Sequence, residues 1–463
     1  MIHTCKIKKI VFFLIICEAV KSFSQNKQVL YNFAELPQTL LLNPGSETNY
    51  KFHIGFPLLS GFSTKLGISN FVISDLFLDD NRSINDKVSE VLKNVSTKDY
   101  IESNIQIEVL NAGFKLNNKN YFSFGFYEEL NGIIYAPKDI ITLYTEGNSA
   151  YLNKSFSLSQ ISYKVDVLGV LHFGLTRKVS NKLTYGGRFK IYSSALNIES
   201  FNNSGTFTTV NGSNTIYTQY LDNINIESRT SGLYKDDEFV ESFKSYLDNT
   251  FFGSNLGVGF DIGFTYHLSD QIEFTGSIID LGFINHKKEV STFSMKGDYV
   301  FEGITFEYDP LNPYDYGVDI EEDFRKNFPL VESENSYISW RPTKLNTSFK
   351  YSFGERRSKY CYDDTFKDFY RNAIGFQLFS VVRLLTPQYA LTGFFESSFT
   401  DKLHAKVTYT IDNYSFHNIG IGFSSQIGKV NFYGMIDNIT KLDDIASSNS
   451  LSVQFGINLI IFN

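Results

Sequence analysis

Apolar and polar residues alternate along most of this chain with a period of two. In Leu403-His404-Ala405-Lys406-Val407-Thr408-Tyr409-Thr410-Ile411-Asp412 every odd position is apolar and every even one polar. Leu183, Tyr185, Gly187, Phe189, Ile191, Ser193 and Ala195 alternate in the same way with Thr184, Arg188, Lys190 and Ser194. So do Ile419, Ile421 and Phe423, then Val430, Phe432, Gly434 and Ile436. Successive side chains of a strand point to opposite faces, so each run predicts a strand with one dry and one polar face. The runs are about ten residues long, the length a tilted strand needs to cross a bilayer.

Runs of this kind lie near 51–57, 104–117, 119–131, 161–178, 182–196, 254–268, 271–284, 290–301, 343–353, 372–384, 390–400, 402–412, 416–427, 429–438 and 451–462. Asn117-Asn118-Lys119-Asn120, Ser269-Asp270, Asp401-Lys402 and Gly428-Lys429 join several of them through tight hairpins. A soluble β-sandwich also alternates, but favours shorter strands and more crossovers. The pattern therefore predicts an all-β fold: a transmembrane antiparallel β-barrel of about 14 strands, with a short N-terminal plug and a few short helices in insertions. Single-chain bacterial barrels carry even strand numbers. One of the fifteen runs, the first or 290–301, is then expected outside the barrel.

Other segments do not alternate. Gly61 to Phe77 is mixed and apolar, and Ile84 to Leu92 reads as a short amphipathic helix. Phe201 to Gly232, rich in Asn, Thr, Ser and Gly, reads as a long outer loop, and Asp236 to Leu247 as a second helix. Glu302 to Ser336 is the longest acidic insertion. The expected division is a signal peptide over 1–24, a plug over 25–50 and a barrel over 51–463, with insertions near 61–100, 200–250 and 302–336.

The first residues read as an export signal. Lys6, Lys8 and Lys9 precede the apolar run Ile10 to Ile16, and Ser22 and Ser24 form a small-x-small cleavage site before Gln25. Ile16 stands where a lipobox needs a small residue before Cys17, which argues against a lipid anchor. Thereafter no apolar stretch approaches the length of a membrane helix. Cys5 and Cys17 leave with the signal, so Cys361 alone has no intrachain disulfide partner.

Composition sharpens this picture. The chain holds 45 Phe and 29 Tyr against a single Trp, Trp340. Aromatics spread along alternating strands suit a lipid-facing surface with interfacial girdles. The formal charge is −8, and signal cleavage removes more basic than acidic residues. Nucleic acid, which needs a basic face, is excluded as a partner.

Ahead of the first strand, Phe33, Leu36, Pro37, Leu40, Leu41 and Leu42 lead into Asn43-Pro44-Gly45. An apolar stretch here can fold into a lumen and close it, with Pro44 and Gly45 turning the chain into the wall. This start resembles the plug-then-strand entry of FadL-like and PorV/PorP-like barrels. Gly257-Val258-Gly259-Phe260-Asp261-Ile262-Gly263, Asp280-Leu281-Gly282 and Asp437-Asn438 resemble strand ends of a Bacteroidota outer-membrane barrel family of unknown function. The resemblance implies a bacterial outer-membrane location, contact with outer-membrane lipid, and plug or gate roles for Phe33, Leu36, Leu40, Leu42, Asn43, Pro44 and Gly45. It implies a FadL-like channel for a hydrophobic or amphipathic small molecule. The alternative is a non-transporting anchor that binds secretion-system proteins in type IX secretion or gliding.

Catalytic signatures are missing: the sequence has no G-x-S-x-G, H-E-x-x-H or P-loop. Single histidines at 53, 172, 267, 286, 404 and 417 are expected as lumen or interface residues rather than catalysts. Neither an enzyme nor a cofactor is expected. Asp315, Asp319 and Glu321 in the acidic insertion are candidate Ca²⁺ ligands, without EF-hand spacing, and a solvated acidic loop is the expected alternative. Arg188, Lys190, Lys406 and Asp412 lie on polar strand faces and are expected to point into the lumen.

Overall fold

The computed structural model describes residues 27–33, 36–213, 215–235, 238–239, 246, 249–252, 255–303, 316–355, 370–415 and 417–462. The expected signal peptide, Cys361 and most of the 236–247 segment lie outside them.

Fourteen antiparallel strands close into a barrel. β1 is made of two pieces, Tyr50–Gly55 and Phe62–Ile68. There follow β2 (Tyr100–Lys115), β3 (Asn120–Tyr135), β4 (Tyr163–Lys178), β5 (Leu183–Ser200), β6 (Asn255–His267) and β7 (Ile272–His286). β8 is again divided, into Tyr337–Trp340 and Lys344–Glu355. β9 (Tyr370–Val381), β10 (Gln388–Thr400), β11 (Leu403–Asp412), β12 (Asn418–Ile427), β13 (Val430–Ile436) and β14 (Ser450–Phe462) complete the wall. Each strand pairs with its sequence neighbours, and β14 closes on β1 with Tyr50 opposite Phe462 and His53 opposite Ile460. Closure leaves no free edge, which is what lets strands stand in hydrocarbon. No described helix is long and apolar enough to cross a membrane.

Alternation has the predicted meaning. Along β6, Leu256, Val258, Phe260 and Ile262 are exposed on the outside, whereas Gly257, Gly259, Asp261 and Gly263 are buried within. The inner face is largely polar: Arg188, Thr275, Gln377, Thr392, Lys406 and Thr408 are all buried. The turns at one end are short. Asn117 Oδ1 accepts the backbone N–H groups of Lys119 and Asn120 at 3.0 Å, and Gly428 takes the left-handed φ of +61° that its two-residue hairpin requires.

Three segments differ from the sequence expectation. Phe62–Ile68, expected to be irregular, is the second half of β1; Phe62, Thr64, Leu66 and Ile68 alternate with Ser63, Lys65 and Gly67, but the run is only 7 residues long and is followed by irregular chain. Between the halves, Phe56 to Gly61 interrupts the strand, with Phe56, Leu58 and Leu59 exposed and Ser60 buried, while β14 keeps its bonds, from Phe56 N–H to Ile457 O and from Ile457 N–H to Leu59 O. The 201–232 segment, expected to be a loop, contains the strands Ser204–Asn211 and Tyr217–Ser231. Its Thr, Tyr and Ile content favours strands, and the largely polar faces hid the period. Val290–Phe301 lies outside the barrel.

These strands form a second structure at the long-loop end. Ser155–Ser157, Ser204–Asn211, Tyr217–Ser231, Val290–Phe301 and Val331–Ser333 pair in that order, and the sheet joins the barrel where Asn197–Ser200 of β5 meets Ser228–Ser231. It has its own apolar core of Leu158, Ile224 and Phe328, with Met295, Tyr299 and Phe324 packed against it. The helix expected over 84–92 is present as Ile84–Asn94, N-capped by Ser83.

Candidate functional site: a plugged lumen

The N-terminal segment runs inside the barrel. Val29, Leu30, Tyr31, Phe33, Leu36 and Leu40 are each no more than 2% exposed, although no strand or long helix holds them. Val29, Leu30, Phe33 and Leu36 pack on Tyr433 and Met435 of β13, with Leu42 against the same cluster. Leu40 sits among Tyr50, Tyr121 and Ile460, and Leu41 packs against Tyr127, Tyr192 and Ile284. An apolar stretch inside a polar lumen is thus matched to the few apolar patches the wall offers.

Polar contacts fix its path. Gln38 Nε2 donates at 3.0 Å to Ser60 O, Glu108 Oε2 and Asn458 Oδ1, and Asn458 Nδ2 donates back to Gln38 Oε1 at 3.0 Å. The backbone carbonyls of the segment, which have no ladder of their own, accept from the wall: Tyr31 O from Lys406 Nζ, Leu42 O from Ser277, Pro44 O from Thr176 and Gly45 O from Thr265. A buried chain without regular structure has to find such partners. Lys27 donates to Gln106, and Asn32 to Glu273.

Asn43-Pro44-Gly45 turns against glycines of the wall. A side chain at Gly263 would meet Asn43 Oδ1 at 2.1 Å, and one at Gly45 would meet Gly263 O at 2.4 Å. Asn43 Oδ1 itself accepts the Gly45 N–H at 2.9 Å, an Asx turn that sets the bend. On the opposite side, Val29 sits over Gly420 and Gly422 of β12. Glycine in these strands makes room for the plug.

The remaining lumen carries paired charges. Lys190 Nζ lies 2.9 Å from Asp261 and 2.6 Å from Asp280, Arg188 lies 3.6 Å from Asp261, and Lys344 lies 2.8 Å from Asp280. Asp280 has a left-handed φ of +61° beside a β-bulge, and its N–H donates to Asp261 Oδ1 at 2.7 Å. Arg341 pairs with Glu129 at 2.7 Å, and Glu102 receives both Lys65 and Arg383. Arg188, Lys190 and Lys406 are therefore all inside. Asp412 ends β11 on the same inward register, half-buried near the rim, where it lines a small pocket with Gln28, Lys65 and Gln388 and accepts the N–H groups of Tyr414 and Ser415 in the turn.

The acidic insertion offers no assembled Ca²⁺ cage among the described residues. Glu321 lies on the helix Tyr316–Asn327 and pairs with Arg325 one turn on; Asp319 is on the same helix, and Asp315 lies outside the described residues.

Gln38 and Glu108 were not singled out by sequence, and Asp261 and Asp280 were named only within strand-end motifs, with no role assigned. Asp261 and Asp280 carried a readable signal, an acidic residue alternating with glycines on an inward face. Gln38 carried none.

A cavity of about 320 Å³ opens between plug and wall at the short-turn end, lined by Asn32, Lys350, Arg371, Glu396, His404 and Asn431 among others. Another of about 290 Å³ lies at the opposite mouth beside Trp340 and Arg341. Both linings mix charged and apolar groups.

A family model matches residues 44–437, nearly the whole wall. The chain belongs to a family of unknown function, DUF5723. No curated protein matches it. Among solved structures, this DUF5723 chain is similar to a Pseudomonas aeruginosa FadL homologue, at 9% identity and a TM-score of 0.45 over 95% of this chain and 99% of that one. It is similar to the Ralstonia pickettii toluene transporter TbuX, at 9% identity and a TM-score of 0.41 over 96% and 99%. The P. putida toluene transporter TodX matches at 9% identity and a TM-score of 0.38 over 95% and 94%.

Proposed function

We propose that this protein is a bacterial outer-membrane channel whose lumen is closed by residues 27–46 and which passes a small amphipathic molecule when that segment moves. The observation that carries this reading is the burial of an irregular, apolar N-terminal segment within a closed barrel, held by side-chain contacts rather than by a strand ladder. Such a segment can leave as a unit while the wall stays intact, because a barrel satisfies its backbone within its own strands. The apolar outer belt suits lipid, and the short turns would face the periplasm. Cavities lined by both charged and apolar groups favour a cargo with a polar head over a pure hydrocarbon. Phe33, Leu36, Leu40, Leu42, Asn43, Pro44 and Gly45 would be the gate. Arg188, Lys190 and Lys406 would line or brace the path.

Deleting residues 26–42 tests this. Flux of small amphipathic solutes into liposomes carrying the variant is expected to rise well above that of the parent barrel. Unchanged flux in a folded variant would reject the gate.

One feature favours a second reading, a non-transporting barrel that presents a surface to secretion-system proteins. The sheet built from 155–157, 204–211, 217–231, 290–301 and 331–333 has its own core and stands at the long-loop end, which a channel does not require. Removal of 204–231 that spares the barrel but abolishes co-purification of a stoichiometric partner would support it.

A further inference from the structure

The chain leaves the plug through Glu47, and this side chain meets two others at the short-turn end of β6 and β7. Glu47 Oε2 lies 3.1 Å from His267 Nε2, and Glu273 Oε2 lies 4.0 Å from the same nitrogen. One ligand atom from each of the three falls within 4.8 Å of the others. His267 and Glu273 are buried, and Glu47 is nearly so. Four-coordinate zinc holds N and O ligands at roughly 2.0–2.2 Å, so its ligand atoms stand about 3.4 Å apart. The observed separations bracket that value.

The outer atoms of the same residues are already held. Glu47 Oε1 accepts from Thr184 Oγ1 at 3.3 Å. Glu273 Oε1 accepts from Lys350 at 3.0 Å and from Asn32. The remaining oxygen of each carboxylate is the one turned toward His267. Two residues before Glu47, Gly45 O is pinned by Thr265 on β6, and His267 N–H is bonded to Lys182 O at 2.8 Å. The three groups are therefore delivered by rigid backbone, with partners orienting their far atoms as in metal sites generally.

We infer that Glu47, His267 and Glu273 bind one Zn²⁺ ion, with water completing the coordination, and that the ion staples the exit of the plug to the wall. Imidazole with two carboxylates suits a borderline ion such as zinc; Ca²⁺ and Mg²⁺ take oxygen ligands only. The stapling role rests on the gate proposed above, whereas the site does not. Removing residues 26–42 takes away Asn32, one of the partners of Glu273 Oε1, but keeps all three ligands and Lys350, so binding should weaken rather than vanish.

The test is titration of zinc chloride into chelator-treated mature protein in detergent micelles, followed by calorimetry, with CaCl₂ and MgCl₂ as comparators. One Zn²⁺ per chain is expected, with no Ca²⁺ or Mg²⁺ binding. His267→Ala should lose the ion, Glu47→Gln should weaken it at least tenfold, and Thr184→Val should weaken it about 10–100-fold. Zinc should also raise the temperature at which the parent barrel unfolds on heating in SDS, but not that of His267→Ala. Binding that is absent, or equal in the parent and a folded His267→Ala barrel, would overturn the site and leave a plain histidine–carboxylate hydrogen bond. The 26–42 deletion separates the two proposals: it should still bind zinc whether or not its flux rises.

Discussion

The carbonyl oxygen of Pro44 occupies the place a side chain would take at residue 186: a Cβ built on Gly186 would lie 2.0 Å from it. The obstructing atoms are backbone on both sides, so neither can swing aside. Gly186→Ala must therefore push the Asn43–Gly45 turn off the wall or bow β5. Overpacking of this kind costs about 1–3 kcal/mol. The expected result is a barrel that folds but unfolds at lower temperature in SDS, with faster proteolytic cutting near Lys27. Gly263→Ala, which meets Asn43 Oδ1, should behave alike.

Gln38 gathers Ser60, Glu108 and Asn458 through a single side chain. Gln38→Leu keeps much of the volume and removes every one of those bonds. Ser60 O retains Tyr433 OH, and Glu108 retains Asn111, so the loss falls chiefly on Asn458. A cost of about 1–3 kcal/mol is expected. Gln38→Glu is expected to be worse than Gln38→Leu, because it sets a second carboxylate against Glu108 in a dry interior. Denaturant titration of the refolded barrel, ranking the parent above Leu and Leu above Glu, checks the order.

The wall was legible in the sequence because one face of each strand is apolar and outward and the other lumenal and largely polar, which writes alternation directly into the residues. Leu403 to Asp412 could be placed residue by residue. The sequence was silent wherever both faces share one environment. Ser204–Asn211, largely polar on both faces, is the example, whereas Phe62–Ile68 does alternate but is only 7 residues long. Asn43-Pro44-Gly45 was visible as a turn, but the glycines receiving it, Gly186 and Gly263, lie more than a hundred residues away. The approach of Glu47 to His267 spans a similar distance. Local pattern carries no trace of such pairings, which arise only when the barrel closes.

Asp280 can be tested without disturbing its backbone. Its φ of +61° is left-handed, a region asparagine tolerates and most residues do not. Asp280→Asn thus removes the charge that Lys190 and Lys344 share and keeps the bulge. Breaking a buried pair from one side typically costs about 3–5 kcal/mol, since the partner charge remains buried. Lys190 keeps Asp261, which puts the expectation at the lower end. Asp280→Ala should cost more, because backbone strain is added. Equal stability of the two variants would sink this account.

Asp80, in the loop that carries the helix Ile84–Asn94, tests whether the long-loop end answers to pH. Arg82 Nε donates to Asp80 Oδ2 at 2.7 Å, and Lys87 Nζ lies 3.0 Å from Oδ1. Hydrogen bonds from Arg82 and then Lys87 hold the Asp80 carboxyl well below the usual carboxylate range. A carboxylate whose folded pKa is depressed contributes ordering above its unfolded pKa and loses it as pH falls through the folded value. The loop should therefore stay ordered from neutral pH down past the point where free carboxylates protonate, and loosen only in stronger acid. A spin label at Asn85→Cys in a Cys361→Ser background reads this directly. Its mobility should be flat between pH 8 and about 4, the region of a free Asp or Glu, and rise only below it. Asp80→Asn should be mobile across the whole range. A rise centred near pH 4 in the parent would mean that the Arg82 and Lys87 contacts do not hold Asp80 in solution.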